Sequence, residues 1–311
     1  MTESLHTLSG APLSRLTFGT MQFGGTADAA ASRDMYEAAR EAGLNHFDTA
    51  VGYTDGESER ITGDLIGPER EEIFLATKVA FHGGAGRENI RDQFDRCRRQ
   101  LDQDAVDLLY LHIWDPDTEL EESFSTLAEM QEQGLIRHIG VSNYAAWQVM
   151  KAQGIAQALG TRIDAVQPMY SLVKRQAEVE IFPMAQDQEI AIFPYSPLGG
   201  GLLTGKYAGG GTGRLTESDR YRQRYGVDWM HETATRLTRL AEELGTSPAT
   251  LAVGWAARHP VLPSPIISGR NLAQLRPSLD ALTYDMTPSL YARISELSPA
   301  PPPATDRLEE R

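Results

Sequence analysis

The feature that most constrains this chain is a rhythm in which short apolar or β-branched runs alternate eight times with amphipathic segments. Alternation of this kind marks βα units built around a parallel sheet. The strand candidates are residues 16–21, 45–49, 73–79, 107–113, 139–143, 165–169, 190–195 and 265–268. Helical patterns fill the gaps at 29–42, 58–66, 88–101, 120–133, 145–159, 178–186, 233–244 with 249–257, and 271–281. Eight units predict closure into a (β/α)8 TIM barrel, and 311 residues fall inside the range of roughly 200 to 400 that such barrels occupy. The rival, an open doubly wound sheet, announces itself by a G-x-G-x-x-G turn after its first strand. Here Phe18-Gly-Thr-Met-Gln-Phe-Gly-Gly25 lacks that spacing.

Local signals refine the expectation. Gly43, Gly67, Gly134 and Gly160 follow helix candidates, as left-handed C-terminal caps do. Residues 4–13 read as an N-terminal hairpin turning at Ser9-Gly10 and plugging one end of the barrel. After the seventh strand comes a long connection, 199–232, whose length suits either a lid or a disordered segment. Residues 1–298 are expected to form a single barrel domain. The remainder, 299–311, opens with Pro299-Ala-Pro-Pro-Pro-Ala304 and is expected to be a disordered tail.

Charge narrows the partners. A formal net charge of −14 argues against docking on phosphate backbones or anionic membranes, which require a basic face. With one cysteine, Cys97, no intrachain disulfide is possible, and its helical surroundings read as packing. Neither a signal peptide nor a membrane-spanning apolar run is apparent, so the expected setting is the cytoplasm. No metal site is expected.

In this fold the chemistry collects at the C-terminal ends of the strands. Those ends carry Asp48 with Tyr53 in the following loop, Lys78, His112, Ser142 with Asn143, Gln167, Tyr195, and Ser268 with Arg270. Singly, most of them suit an ordinary structural role. Asp48 suits a turn, Tyr53 is one of eleven tyrosines, and a lone histidine such as His112 often sits satisfied in a core. Lys78 is harder to set aside: its flanks, Leu75-Ala-Thr and Val79-Ala80, are mostly apolar, and buried lysines are almost always paired. Asp48 on the adjacent strand supplies the partner. Together the four suit proton transfer to a carbonyl oxygen. A phenol with a pKa of about 10 becomes a better acid beside an ammonium group, Asp48 holds that ammonium, and His112 orients the oxygen.

These residues lie in motifs that resemble the aldo-keto reductases over nearly the whole chain. Asn45-His-Phe-Asp-Thr-Ala-Val-Gly-Tyr-Thr-Asp-Gly-Glu-Ser-Glu59 is similar to the family's aspartate–tyrosine signature, Leu75-Ala-Thr-Lys78 to its lysine segment and Asp107-Leu-Leu-Tyr-Leu-His112 to its histidine segment. The resemblance implies a catalytic tetrad of Asp48, Tyr53, Lys78 and His112, and NADPH as cofactor. It further implies that Ser142, Asn143 and Gln167 hold the nicotinamide carboxamide and that Tyr195 stacks on its ring. Ser196, Leu198, Gly200 and Lys206 would embrace the pyrophosphate, while Ser268, Arg270 and Gln274 would grip the 2′-phosphate and adenine. The chain departs from the pattern at Ser278, where the family usually has asparagine.

Val141-Ser-Asn-Tyr-Ala-Ala-Trp147, Gly199-Gly-Gly-Leu-Leu-Thr-Gly-Lys-Tyr207 and Tyr221-Arg-Gln-Arg-Tyr225 look most like the aflatoxin-aldehyde and succinic-semialdehyde reductases. Trp114-Asp-Pro116 is similar to bacterial reductases of sugars and small aldehydes. Candidate pocket walls are Met21, Phe23, Trp114, Tyr144 and Trp229, and Arg222 with Arg224 form a candidate carboxylate clamp. The expected partner is a small-molecule carbonyl compound, and the expected assembly a monomer or homodimer. Two other readings stay open: a cofactor-binding regulatory subunit with little turnover, of the potassium-channel β type, and an isomerase or aldolase on the same barrel.

Overall fold

The structure, a computed structural model, describes residues 5–207, 210–307 and 309. Ser4 of the expected hairpin, Gly209 of the long connection, and residues 308, 310 and 311 of the tail lie outside the described residues.

All eight strands are present: β1 Thr17–Gly19, β2 His46–Asp48, β3 Phe74–Val79, β4 Val106–Leu111, β5 Ile136–Ser142, β6 Ala165–Gln167, β7 Ala191–Ile192 and β8 Ile266–Ile267. They pair in parallel in the order β7-β6-β5-β4-β3-β2-β1-β8. The two ends of this sheet also meet, because Ser264 N–H donates to the Ile192 carbonyl at 2.9 Å and Ile266 N–H to the Pro194 carbonyl at 2.8 Å. The sheet is therefore a closed (β/α)8 barrel.

Helices α1 Ala29–Glu41, α2 Glu57–Ile66, α3 Arg87–Leu101, α4 Leu120–Glu132, α5 Ala146–Ala158 and α6 Ile181–Asp187 follow the first six strands. Each packs one apolar stripe on the barrel. In α3 that stripe is Ile90, Phe94, Cys97 and Leu101, spaced to fall on one helical face. Burial pushes the Cys97 thiol well above its ordinary pKa, as suits a packing group. Capping fixes several starts: the Asp28 side chain accepts from Ala31 N–H at 2.8 Å. Gly43, Gly134 and Gly160 have φ of +85°, +70° and +77°, the left-handed caps expected of them. Gly67 does not. Its φ of −48° carries the chain on into a 3₁₀ turn, Gly67–Glu72, which Pro68 initiates.

The N-terminal segment turns at Gly10 (φ +87°) and makes one antiparallel bridge, His6 to Pro12. Leu5 lies fully buried in the barrel's interior cluster with Phe74, Ala76, Leu108, Tyr110 and Phe193. Since Phe74 opens its strand, the hairpin plugs the N-terminal mouth.

The connection after β7 is more regular than its glycines suggested. A 3₁₀ segment, Gly199–Thr204, is followed by α7 Arg214–Glu217 and α8 Asp219–Tyr225, and α9 Asp228–Glu243 starts five residues before the expected Thr233. Then come α10 Pro248–Ala257, α11 Leu272–Asp280 and an unanticipated α12, Pro288–Ser295. Thr287 caps α12 and proline occupies its first turn, a start signal present in the sequence. Residues 299–307 form neither helix nor strand. No helix among the described residues is long and apolar enough to cross a membrane.

Candidate active site

β2 and β3 lie side by side with Asp48 opposite Ala76, so Lys78 projects into the barrel just above Asp48. Lys78 is fully buried and its Nζ donates to Asp48 Oδ1 and, at 2.7 Å, to the Thr49 carbonyl. The other carboxylate oxygen of Asp48 accepts from Gln167 Nε2 at 2.9 Å. Burial alone would lower the lysine's pKa, but Asp48 and Tyr53 turn the net shift upward and keep it an ammonium.

Tyr53 stands on a tight 3₁₀ turn, Tyr53–Gly56, in which Thr54 and Asp55 adopt left-handed φ of 49° and 56°. Thr54 Oγ1 clamps the turn by donating to the Phe23 carbonyl at 2.7 Å and accepting from Ser58 N–H at 2.9 Å. The Lys78 ammonium lies 5.1 Å from the Tyr53 ring centroid. His112 meets that ring edge-on, 5.9 Å between centroids, and Phe81 covers His112 from the other side at 4.8 Å. The four groups read from the strand ends are thus brought together.

One electrostatic expectation is corrected. The ammonium does pull the Tyr53 pKa down, but burial pushes it up harder, and the net shift is upward. At neutral pH Tyr53 is a protonated phenol. Burial, with Lys78 and His82 adding to it, lowers His112 to about 3, so its imidazole is neutral.

Ser142, Asn143, Gln167 and Tyr195 form one hydrogen-bonded rim. Ser142 Oγ donates to the Gln167 carbonyl at 3.0 Å, Asn143 Nδ2 to Ser142 Oγ at 3.1 Å and to the His112 carbonyl at 2.9 Å, and the Tyr195 hydroxyl to Asn143 Oδ1 at 2.6 Å. Beyond it Ser196 (φ +62°) and Leu198 lead into the glycines. A Cβ on Gly200 (φ +64°) would meet Tyr221 Cδ1 at 2.8 Å and Tyr225 Cε2 at 3.0 Å, so α8 lies directly on this segment. Lys206 runs along Gly201 and Gly213. Arg270 pairs with Glu217 of α7 at 3.3 Å, and its backbone N–H donates to Gln274 Oε1 at 3.3 Å; Ser268 is half-buried just before them. Ser278 is buried inside α11 with its hydroxyl unpartnered.

The pocket candidates divide. Trp114 and Tyr144 pack edge-on at 5.2 Å beside His112, and Met21 is half-buried after β1. Phe23 is 1% exposed against Phe18, which makes it core instead of a pocket wall. Trp229 is on the first turn of α9 and packs on the core, because the helix starts earlier than expected. The Arg222–Arg224 clamp does not exist: two apart on α8, they point to different faces. Arg222 pairs with Asp219 at 2.8 Å in solvent, whereas Arg224 lies 5.6 Å from the Tyr221 ring and acts on Tyr195. Sequence reasoning missed Tyr221 as a neighbour of Tyr53, where Arg214 lies 5.3 Å from the Tyr221 ring, and missed Lys174, which lies 5.5 Å from the Tyr225 ring. The i,i+4 spacing of Tyr221 and Tyr225 was the available signal. Arg214, Arg224, Lys174 and Lys206 have no carboxylate partner among the described residues.

A polar cavity of about 510 Å³ lies elsewhere, at the N-terminal side of β5–β7, lined by Gln131, Arg162 and Asp164 among others. It touches none of these groups; the chemistry, not the cavity, marks the site.

Comparison with known proteins matches the profile of the Aldo/keto reductase family to residues 15–299. The chain belongs to the aldo/keto reductase family. An uncharacterized oxidoreductase of Bacillus subtilis is 30% identical to this aldo/keto reductase over 94% of each chain. A probable voltage-gated potassium channel subunit beta of Arabidopsis thaliana is 30% identical, covering 94% of this chain and 95% of that one. Aflatoxin B1 aldehyde reductase member 2 of Rattus norvegicus is 33% identical, covering 81% and 74%. Membership makes this aldo/keto reductase an oxidoreductase for which nicotinamide-dependent carbonyl reduction is the plausible chemistry.

Proposed function

We propose that this protein reduces an aldehyde or ketone to an alcohol with NADPH, and that Tyr53 is the proton donor. The observation that carries this reading is the buried Asp48–Lys78 pair beside a protonated Tyr53 and a neutral His112. His112 donates a hydrogen bond to the substrate oxygen. Tyr53 passes its proton to that oxygen as negative charge develops there, and Lys78 stabilises the phenolate left behind. Asp48, fixed by Gln167, keeps the ammonium aimed. Bound NADPH supplies the hydride for the carbonyl carbon.

Three features support that cofactor. The rim of Ser142, Asn143, Gln167 and Tyr195 offers amide donors and acceptors with an aromatic face. The cations Lys174, Lys206, Arg214 and Arg224, without a carboxylate partner among the described residues, suit a pyrophosphate in a chain that is otherwise acidic. Arg270 precedes the N-terminus of α11, where Asn271 caps Gln274 N–H at 3.0 Å, a place that favours a 2′-phosphate over a hydroxyl. Ser196, Leu198, Gly200, Ser268 and Gln274 complete the proposed contacts. We place the activity in one barrel domain, 1–298, acting in the cytoplasm as a monomer or homodimer on a small molecule, without nucleic acid or membrane.

Tyr53→Phe keeps the ring and removes the acid. Its kcat should fall by about 10²- to 10⁴-fold, the usual range for general acid–base groups, with NADPH affinity unchanged. Turnover above half the parent's, in an assay limited by chemistry, would remove Tyr53 from this role. The similarity to potassium channel beta subunits keeps a second reading alive, an NADP(H)-binding regulatory protein with little turnover. Sustained NADPH consumption with simple aldehydes decides between them.

A further inference from the structure

Of the nine large apolar side chains left in water among the described residues, four gather at one mouth of the barrel. Phe81 (40% exposed), Ile113 (37%), Trp147 (63%) and Met150 (39%) all belong to the connections after β3, β4 and β5 or to the first turns of α5. They share the mouth that holds His112. Phe81 packs on the His112 ring at 4.8 Å, and Trp114, two residues beyond His112, packs on Trp147 at 5.6 Å and on buried Tyr144 at 5.2 Å. Asn143 ties the two connections together through the His112 carbonyl. Trp147 and Met150, three apart, share one face of α5.

Asp115, next to Trp114, has its carboxylate engaged by Ala85 N–H at 2.7 Å and the Thr118 hydroxyl at 2.6 Å, and its charge reaches Tyr144 beneath the rings. Trp114 and Trp147 are inclined at 61°, so they do not stack, and a flat group can still lie on either indole. Single exposed hydrophobics are ordinary, but a contiguous patch of this kind marks a binding surface. Its continuity with His112 names the occupant: a molecule whose carbonyl oxygen is at His112 and whose remainder lies outward along the rings.

We infer that Trp147 is a specificity-determining residue and that the substrate is an extended aromatic carbonyl compound with at least two fused rings. This rests on the reading that the Tyr53 site reduces carbonyls. A small aldehyde would end at His112 and Phe81, whereas a fused aromatic reaches Trp114 and Trp147.

The test compares 2-naphthaldehyde with butanal, using NADPH and the parent, Trp147→Ala and Trp147→Phe proteins. For Trp147→Ala the ratio of kcat/KM for naphthaldehyde to that for butanal should drop by roughly 2- to 13-fold through KM, the worth of one aromatic contact. Trp147→Phe should restore most of it. A ratio that stays constant, because both substrates suffer equally or neither does, overturns the inference. A second measurement needs no turnover: calorimetric binding of 2-naphthalenemethanol, with and without NADP+. Binding that weakens in Trp147→Ala while neither aldehyde is reduced would sink carbonyl reduction and leave the ledge standing. Reduction of both aldehydes with Trp147-independent binding would sink the ledge alone. Dissociation of a dimer by Trp147→Ala would likewise overturn it, since a second copy would then cover the patch.

Discussion

Replacing Lys78 by Met tests the centre of the site through stability as well as rate. In the parent the ammonium is wholly buried and serves Asp48 and the Thr49 carbonyl. Methionine fills a similar volume, so the loss is electrostatic. Asp48 is left as a buried carboxylate with Gln167 as its remaining hydrogen-bond donor, and breaking a buried pair in this way costs about 3–5 kcal/mol. At roughly 2.1 cal/mol/K per residue, a chain of 311 residues unfolds with an entropy of about 0.65 kcal/mol/K, so Tm should fall by about 5–8 °C. The loss should depend on pH. Burial raises the Asp48 pKa even with Lys78 opposing the rise; once Lys78 is gone, the folded-state pKa stands further above the unfolded value of about 3.9. A group raised on folding contributes stability at low pH that disappears as pH climbs through the folded pKa. The gap between variant and parent should therefore be smaller at pH 5 than at pH 8, and adding Asp48→Asn should narrow it at pH 8. Thermal melts at the two pH values make the measurement. A Tm loss identical at both, or absent, would refute the claim that an unscreened ion pair sits here.

Other consequences can be measured alongside. Arg270→Ala should weaken NADPH by about 10- to 150-fold and NADH little; because Glu217 competes for the same guanidinium, Glu217→Gln should tighten NADPH, and equal losses for both cofactors would reduce Arg270 to a support of its loop. His46 is sealed in the barrel, held by Thr17 at 2.9 Å with Nε2 unpartnered, and burial lowers it to about 3. A base lowered on folding contributes stability above its unfolded pKa of about 6.5 that drains away as pH falls toward the folded value, at up to about 1.4 kcal/mol per pH unit. His46→Gln should flatten the decline of Tm between pH 6.5 and 4, and an unchanged slope would exonerate this histidine.

The barrel was legible because parallel strands buried on both faces produce apolar runs that helices must separate, and all eight runs are strands with ends shifted by a few residues. Strand ends likewise exposed the tetrad positions, since a lysine set among apolar residues must find a buried partner and so points to the aspartate beside it. What stayed hidden depends on tertiary surroundings. The sign of the Tyr53 shift is a contest between burial and an ammonium, and only the packed site says which is larger. Phe23 is core because Phe18 happens to face it. Arg222 and Arg224 separate because the glycine-rich stretch yields to a short helix, and the short α7 and α8 lack the length for a periodic signal to emerge. Trp147 was read as part of a motif and not as a surface, because exposure has no signature in one sequence.

Closure of the sheet has a consequence for how the protein is made. The strand that completes it, β8, lies about 250 residues after β1, and the junction includes Thr17 Oγ1 to Ser264 Oγ at 3.1 Å and Ser264 Oγ to the Ser14 carbonyl at 3.2 Å. During synthesis, at about 5–20 residues per second, β1 waits on the order of ten seconds or more with one edge unpaired. Such an edge invites pairing with other chains. β1 spans three residues and carries Gly19, against which Ile266 finally packs at 2.7 Å from where a Cβ would stand. A nascent chain with so short an edge offers little for another to grip. Ribosome-bound chains arrested before residue 260 should remain soluble yet protease-sensitive around β1, and lengthening that strand should make them aggregate.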